Sequence, residues 1–175
     1  MNERGSLVDH TQLVVLLGAP GSGKTTLGRM LGGRGWRFQE WELELLEMWG
    51  SRENLIAHKT EALVALHRRV RDLAASPGPP AVYESTGLSD AEFLDTVVGE
   101  LRTLVVRLDV SLDEARRRTH RRPRGEHLAD DDAATRRIWN EFAITVRPVR
   151  PVDVAIDTEQ VGLDRAFELV IAAID

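Results

Sequence analysis

Residues 18–25 read Gly-Ala-Pro-Gly-Ser-Gly-Lys-Thr and fill every fixed position of the pattern G-x-x-x-x-G-K-[ST]. The apolar run Leu13–Leu17 precedes them, and a segment that can continue as a helix follows. Glycines in such a loop let backbone N–H groups turn inward around phosphate oxygens, and the start of the helix adds partial positive charge. The stretch therefore predicts a buried strand, a phosphate-binding loop and a helix, in that order.

The residues of this loop have separate expected tasks. Lys24 is expected to reach the phosphate that is transferred, and the Thr25 hydroxyl is expected to ligate Mg²⁺. The expected cofactors are therefore ATP and Mg²⁺. The predicted nucleotide-binding residues of the loop are Gly18, Gly21, Ser22, Gly23, Lys24, Thr25 and Thr26.

Length and composition limit the classes of protein that fit. With 175 residues, 42% of them hydrophobic, residues 1–175 are expected to form one domain, of which the polar residues 1–10 are expected to be flexible. A net charge of −5 argues against binding long nucleic acid by charge, although a short oligonucleotide is compatible with it. Cysteine is absent, and neither a signal pattern nor a long apolar run is present, so we expect a cytoplasmic protein without a membrane partner.

Apolar runs and turn residues alternate along the rest of the chain. Short apolar runs predict further strands at 36–39, 81–83, 104–108 and 152–156. Helical spacing predicts helices at 40–49, 53–74, 90–98, 111–119, 130–143 and 163–174. Strands that alternate with helices form a parallel sheet, because crossover connections place helices on both of its faces. The predicted fold is a three-layer α/β/α arrangement around a five-stranded sheet.

Acidic residues are predicted at the carboxyl ends of the strands, where open parallel sheets bind their ligands. Phosphoryl transfer to a hydroxyl needs a group that accepts or orients the departing proton, and either Glu40 or Glu42 could serve, with Glu40 the preferred catalytic residue and both expected to bind the acceptor. A plain alternative is that both stabilise the start of a helix. Glu84 is the preferred carboxylate for Mg²⁺, and Asp109, which also follows a strand, is the competing candidate.

Arginines are concentrated just after the helix predicted from residue 111. Six of them fall within residues 116–124, where they repel one another unless anions neutralise them. Pro123 and Gly125 interrupt this stretch, which favours an anion-binding lid over about 119–130 rather than a solvated helix face. Arg118 and Arg122 are the preferred phosphate contacts, followed by Arg124.

Tryptophans surround the predicted acceptor carboxylates. Trp36, Trp41 and Trp49 lie close to Glu40 in sequence. Their first interpretation is core packing, and the alternative is the wall of an acceptor pocket.

With these motifs in place, the chain resembles small phosphate-loop kinases of the nucleoside and nucleotide kinase-like group, above all shikimate kinase and gluconate kinase. Residues 38–42, Phe-Gln-Glu-Trp-Glu, look like the shikimate kinase stretch F-I-D-T-D, which implies acceptor binding or base catalysis for Glu40 and Glu42. Residues 121–128 occupy the place of that family's lid, which implies a substrate contact for Arg124. Residues 152–158 resemble the closing strand and adenine-bracketing loop, which implies nucleotide contacts for Asp157 and Arg118. The resemblance also implies strand order 2-3-1-4-5.

These features predict a kinase that transfers the γ-phosphoryl group of ATP to a hydroxyl of a small-molecule acceptor. Residues 84–87, Glu-Ser-Thr-Gly, are closer to the D-x-T-N stretch of polynucleotide kinase-like enzymes than to the triple glycine of shikimate kinase. A nucleotide kinase or 5′-hydroxyl polynucleotide kinase is therefore the first alternative. An ATP-binding switch that acts through a protein partner is the second. The sequence indicates neither the acceptor nor an oligomeric state.

Overall fold

The computed structural model describes residues 11–122 and 131–174. Within them, the strands are β1 (Leu13–Leu17), β2 (Arg37–Phe38), β3 (Ala81–Ser85), β4 (Thr103–Asp109) and β5 (Val154–Asp157). The helices are α1 (Lys24–Gly33), α2 (Trp41–Trp49), α3 (Arg52–Ala57), α4 (Lys59–Ala75), α5 (Ala91–Glu100), α6 (Leu112–His120), α7 (Asp132–Thr145) and α8 (Gly162–Ala172). None of these helices has the length and apolar character needed to cross a membrane.

The strands form one parallel sheet in the order β2-β3-β1-β4-β5. The central strand β1 pairs with β3 on one side and β4 on the other, so that Leu13 lies opposite both Ala81 and Thr103. Fold class and strand order are thus confirmed. Since all strands run in one direction, their carboxyl ends share one edge, and the loop that follows β1 lies at its centre.

The sheet separates two apolar cores, and β1 contributes to both. Leu13, Val15 and Leu17 pack into the core under α4, α5 and α7. Val14 and Leu16 point the other way, into the core under α1 and α8. A strand buried on both faces must be apolar at every position, which explains the uninterrupted run that ends at the phosphate loop.

The short strand β2 is held against α1 by a close contact between a ring and a glycine. A Cβ atom on Gly28 would lie 2.3 Å from Cε2 of Phe38, so only glycine allows this approach. The contact keeps β2 at the edge of the sheet, beside β3. Glu40 and the start of α2 are thereby brought to the carboxyl edge, next to the phosphate loop.

The prediction of one helix over 53–74 is wrong in one respect. The structure has two helices there, α3 and α4, separated at His58. Ser51 starts α3 by accepting a hydrogen bond from the Asn54 N–H at 3.1 Å. The His58 ring stacks on Trp49, with ring centroids 4.9 Å apart. Helical spacing of apolar residues continues through such a break, so the pattern alone could not locate it.

Candidate functional site

The phosphate loop has a backbone that only glycine adopts easily. Gly21 and Gly23 have φ angles of 80° and 97°. A Cβ atom on Gly21 would lie 2.6 Å from the Ala115 carbonyl oxygen, and one on Gly23 would lie 2.6 Å from Cδ2 of Leu163. Gly23 is also the N-cap of α1 and gives it no side-chain hydrogen bond. The first N–H groups of α1 are therefore left for an anion, as in a phosphate cradle.

The Lys24 ammonium group lies over this loop. It donates hydrogen bonds to the carbonyl oxygens of Gly18, at 2.7 Å, and Ala19, at 3.0 Å. Desolvation lowers the pKa of Lys24 to about 8, and the nearby Glu84 carboxylate opposes this shift. The ammonium is therefore held by neutral carbonyl groups at the place where a phosphate would add negative charge.

Thr25 and Glu84 form a hydrogen-bonded pair of oxygen groups beside Lys24. The Thr25 hydroxyl donates a hydrogen bond of 2.7 Å to Oε2 of Glu84, across the gap between α1 and β3. Burial raises the pKa of the Glu84 carboxyl, while Lys24 and the Thr25 hydrogen bond lower it. A hydroxyl and one carboxylate suit Mg²⁺, which keeps several waters and takes few protein ligands. The described residues include no group of three or more histidine, cysteine, aspartate or glutamate side chains that could hold a metal ion.

The competing carboxylate, Asp109, is occupied by arginines. It accepts hydrogen bonds from Nε of Arg107 at 3.0 Å and 3.1 Å, and Nε of Arg147 lies 3.3 Å from it. Arg107 and Asp109 are two residues apart on β4, so both side chains point to the same face of the sheet as Val105. Glu84 instead faces α1. The geometry thus favours Glu84 over Asp109 as the metal carboxylate.

The two acceptor candidates have different surroundings. Glu40 is the N-cap of α2 and forms a bidentate ion pair with Arg29. Its Oε1 accepts a hydrogen bond from Nε of Arg29 at 2.7 Å, and its Oε2 accepts one from Nη2 at 2.6 Å. Burial lowers the pKa of Lys24 and of Arg122, and the charge of Glu42 partly opposes both shifts. Glu40 is therefore held to α1 by Arg29, whereas Glu42 lies within electrostatic reach of Lys24 and Arg122.

Arg122, the last described residue before the interruption at 123–130, belongs to this same group of charges. Burial lowers its pKa, and the carboxylates of Glu42 and Glu84 oppose that shift. The structure thus brings together Lys24, Glu84, Glu42 and Arg122, which the sequence placed in four separate segments. Arg124 and most of the predicted lid over 119–130 lie outside the described residues.

Arg118 lies against the phosphate loop from the side of α6. Its Nη1 donates to the Gly21 carbonyl oxygen at 3.2 Å and to Oγ1 of Thr158 at 2.9 Å. Its Nε donates to Oε1 of Glu114 at 2.7 Å. Arg118 therefore supports the loop backbone and ties it to the segment after β5; a direct contact with the nucleotide stays a prediction.

Asp157, the predicted nucleotide contact at the end of β5, shapes the turn that follows. Its Oδ1 accepts hydrogen bonds from the N–H groups of Glu159, at 3.0 Å, and Gln160, at 3.2 Å. The next residue, Thr158, donates its hydroxyl proton to the Ser22 carbonyl oxygen at 3.0 Å. Asp157 thus orders the turn beside the phosphate loop, and its predicted contact with the nucleotide is not tested by these bonds.

The tryptophans pack into the cores. Trp41 is 3% exposed and lies in the core under α4. Trp49 packs against the same core, and Trp36 packs against the core on the other face of the sheet. Core packing, the first interpretation of these residues, is therefore what the structure shows for Trp41.

Sequence reasoning missed three residues that build the site. Arg29 holds Glu40, and Thr158 and Glu114 hold Arg118. Arg29 had a signal, because it lies four residues after Thr25 and therefore on the same face of α1. Thr158 belongs to the 152–158 segment that the resemblance singled out, but its bond to Arg118 joins residues 40 apart in sequence and could not be predicted.

Comparisons with known proteins show a shared fold. No protein-family model and no curated protein sequence matches the chain. A solved structure from Chloroflexus aurantiacus, proposed to be a kinase, has a TM-score of 0.67 and 19% identity, and covers 95% of this chain and 100% of its own. Shikimate kinase from Acinetobacter baumannii in complex with shikimate has a TM-score of 0.56 and 20% identity over 94% of this chain and 93% of its own. Deoxyadenosine kinase from M. mycoides with bound dATP has a TM-score of 0.60 and 16% identity over 91% and 98%.

These identities are low, so what the chain shares with the three structures is the fold. That fold is the one of small phosphate-loop kinases, with a five-stranded parallel sheet in the order found here. Shikimate and a deoxynucleoside are different acceptors, and the fold alone does not choose between them.

Proposed function

We propose that this protein is a kinase that transfers the γ-phosphoryl group of ATP to a hydroxyl group of a small-molecule acceptor. The observation that carries the proposal is the hydrogen bond of 2.7 Å between Thr25 and Glu84 beside the Lys24 ammonium. A hydroxyl and a carboxylate are thus joined next to a cation and beside the phosphate loop. Glu42 and Arg122 lie in the same field, as a transfer reaction requires.

On the donor side, the loop and the start of α1 bind the phosphates through backbone N–H groups. Lys24 leaves its two carbonyl partners and pairs with the phosphate that is transferred. Thr25 and Glu84 would hold Mg²⁺, which when bound would supply positive charge to offset the charge of the phosphates.

On the acceptor side, Glu42 accepts the proton of the acceptor hydroxyl. The oxygen of that hydroxyl bonds to the γ-phosphorus, and ADP departs. Arg122 stabilises the charge on the transferred group. Glu40 is held in one orientation by Arg29, and it orients the acceptor by hydrogen bonds from other hydroxyl groups. The proposed roles of Glu40 and Glu42 therefore differ, although both belong to the segment that resembles the acceptor-binding stretch of shikimate kinase.

Similarity of fold supports an acceptor that is small and carries hydroxyl groups. Among the three structures compared, one is a shikimate kinase and one a deoxyadenosine kinase, and both names refer to such compounds. The net charge of −5 disfavours a long nucleic acid as the acceptor.

The test is a coupled assay of ADP release with ATP, Mg²⁺ and a panel of acceptors. The panel holds shikimate, gluconate, nucleosides, nucleoside monophosphates, aminoglycosides and a 5′-hydroxyl oligonucleotide. We expect one small-molecule class to raise ADP release about 100-fold or more over the rate with water alone. Mass spectrometry of the product should show one added phosphoryl group.

Lys24→Ala is the matched control and should show no acceptor-dependent release. Stimulation by the oligonucleotide alone would replace the proposal with a polynucleotide kinase. A rate that no acceptor changes, but that a protein partner raises, would replace it with a nucleotide-dependent switch.

A further inference from the structure

Asp90 is a buried carboxylate that none of the roles above uses. Its residue is 6% exposed. It stands at the N-cap of α5, a position where aspartate usually accepts a hydrogen bond from the helix, yet its side chain makes no such bond. The carboxylate turns back toward β3 instead.

Two hydroxyl groups of β3 converge on this carboxylate. The Tyr83 hydroxyl donates to Oδ2 of Asp90 at 2.7 Å, and the Ser85 hydroxyl approaches Oδ2 at 2.6 Å and Oδ1 at 2.8 Å. Burial and the Asp90 charge raise the pKa of Tyr83, so its phenol stays a donor. A buried carboxylate with two hydroxyl donors forms a rigid link, because leaving it without partners would be costly.

The link reaches the residues next to the phosphate loop. Ser85 accepts a hydrogen bond at its Oγ from the Gly87 N–H at 2.7 Å, and its carbonyl oxygen accepts one from the Gly18 N–H at 3.1 Å. Gly87 has a φ angle of 73° and turns the chain sharply there. The carboxyl end of β3 is therefore fixed on its α5 side.

Glu84 lies between the two residues that Asp90 holds. Side chains alternate along a strand, so Tyr83 and Ser85 point to one face and Glu84 to the other. Tyr83 indeed lies in the core under α4 and α5, whereas Glu84 meets Thr25 of α1. Holding the side chains before and after Glu84 from behind the sheet constrains the backbone from which the Glu84 side chain projects toward Thr25.

We propose that Asp90 is a positioning residue that holds Glu84 in place for Mg²⁺, acting through Tyr83 and Ser85 across the sheet. The inference rests on the proposed function, since it takes Glu84 as the metal carboxylate. It makes a separate claim, namely that the Mg²⁺ affinity of the site depends on a carboxylate that touches neither metal nor nucleotide. Partners that orient a metal ligand commonly change metal affinity by about 10-fold or more.

The experiment measures binding of ADP by calorimetry, with Mg²⁺ titrated from zero, in the intact protein. In the Asp90→Asn variant we expect the Mg²⁺ concentration that gives half of the affinity gain to rise about 10-fold. In EDTA its affinity for ADP should stay within about twofold of the wild type, because the phosphate loop is intact. A variant that had simply lost stability would instead bind ADP worse in both conditions.

Glu84→Gln and the double variant test the route of the effect. If Asp90 acts through Glu84, the double variant should have the Mg²⁺ dependence of Glu84→Gln alone, within about twofold. Independent, additive losses would overturn the inference. Asp95→Asn is the matched control on the same helix, because Asp95 pairs with Arg150 and has a side chain 73% exposed; it should leave the Mg²⁺ dependence unchanged.

Ser85→Ala is the second variant, and it removes the link while leaving Asp90 in place. It should raise the same Mg²⁺ requirement, and it keeps the inference testable if Asp90→Asn does not fold. Unchanged Mg²⁺ dependence in whichever of these variants folds would overturn the inference and leave the proposed function standing. Failure of the wild type to bind ADP with or without Mg²⁺ would overturn both.

Discussion

The phosphate loop and the start of α2 lie side by side at the carboxyl edge of the sheet, but they are built in different ways. The loop is built from backbone: left-handed glycines, carbonyl groups that hold Lys24, and N–H groups at the start of α1. The start of α2 is built from charged side chains, with Glu40 paired to Arg29 and Glu42 within electrostatic reach of Arg122.

This difference separates what is general in the site from what is specific. Phosphate is the same in every nucleotide, so a fixed backbone cradle can bind it, and its glycine pattern appears in the sequence. An acceptor differs from one enzyme to another, and side chains from several elements must recognise it. We therefore expect damage to the loop to abolish the reaction, and damage to α2 to alter its rate and acceptor affinity separately.

The largest effect is expected from Lys24→Ala. The ammonium is the cation held nearest to the site of phosphate binding, and without it the negative charge of the transition state loses a main partner. We expect acceptor-dependent ADP release, as kcat/KM, to fall about 1000-fold. Thermal unfolding should show a folded protein, because this side chain contacts loop carbonyl groups rather than the core. Activity near that of the wild type would contradict the role of the loop.

The part of the structure that the sequence predicts follows the same division between the phosphate loop and the start of α2. The strand, loop and helix around Lys24 were predictable because their interactions are local, and so was the capping of α6 by Ser111, which accepts from the Glu114 N–H at 3.3 Å. The break at His58 was not, because the helical spacing of apolar residues continues through it, and the stacking of His58 on Trp49 joins two different elements. The sequence favoured Glu40 as the catalytic carboxylate and could not assign separate roles to Glu40 and Glu42, because their surroundings come from α1 and from Arg122, which follows α6.

Glu42→Gln and Glu40→Gln form the second test, as a pair of equal changes two residues apart. Loss of a positioned base costs about 100-fold in kcat, so Glu42→Gln should lower kcat by that amount with little change in the KM for ATP. Glu40→Gln should mainly raise the KM for the acceptor, because Arg29 then loses the carboxylate that it clamps. Steady-state kinetics with ATP and acceptor varied in turn separate these parameters.

The opposite assignment would show the opposite pattern, with the loss of kcat in Glu40→Gln. If the two substitutions weakened ATP binding equally, both residues would belong to the ATP-binding side. The distinction between the phosphate loop and the start of α2 would then be lost. Arg29→Met is the control for Glu40, and it should reproduce the higher acceptor KM of Glu40→Gln, because it releases the same carboxylate.

The smallest expected effect is a dependence of nucleotide affinity on pH. Measuring it tests the role of Lys24 in the wild-type protein, without a substitution. The pKa of Lys24 is about 8, so below pH 8 the ammonium is charged and ready to pair with phosphate. Above pH 8 the free protein must first take up a proton, and affinity is lost as the pH rises. Between pH 7 and pH 9 we expect the dissociation constant of ADP, measured by calorimetry, to rise about 10-fold.

Lys24→Arg is the comparison for this dependence, because arginine stays charged throughout the range. The affinity of this variant for ADP should therefore be constant between pH 7 and pH 9. Calorimetry in buffers of different ionisation enthalpy should also show proton uptake by the wild type at pH 9 and none by Lys24→Arg. Equal slopes in the two proteins would mean that the pH dependence arises elsewhere. A steep wild type beside a flat arginine variant would identify the ammonium held by Gly18 and Ala19 as the group that the phosphate recruits.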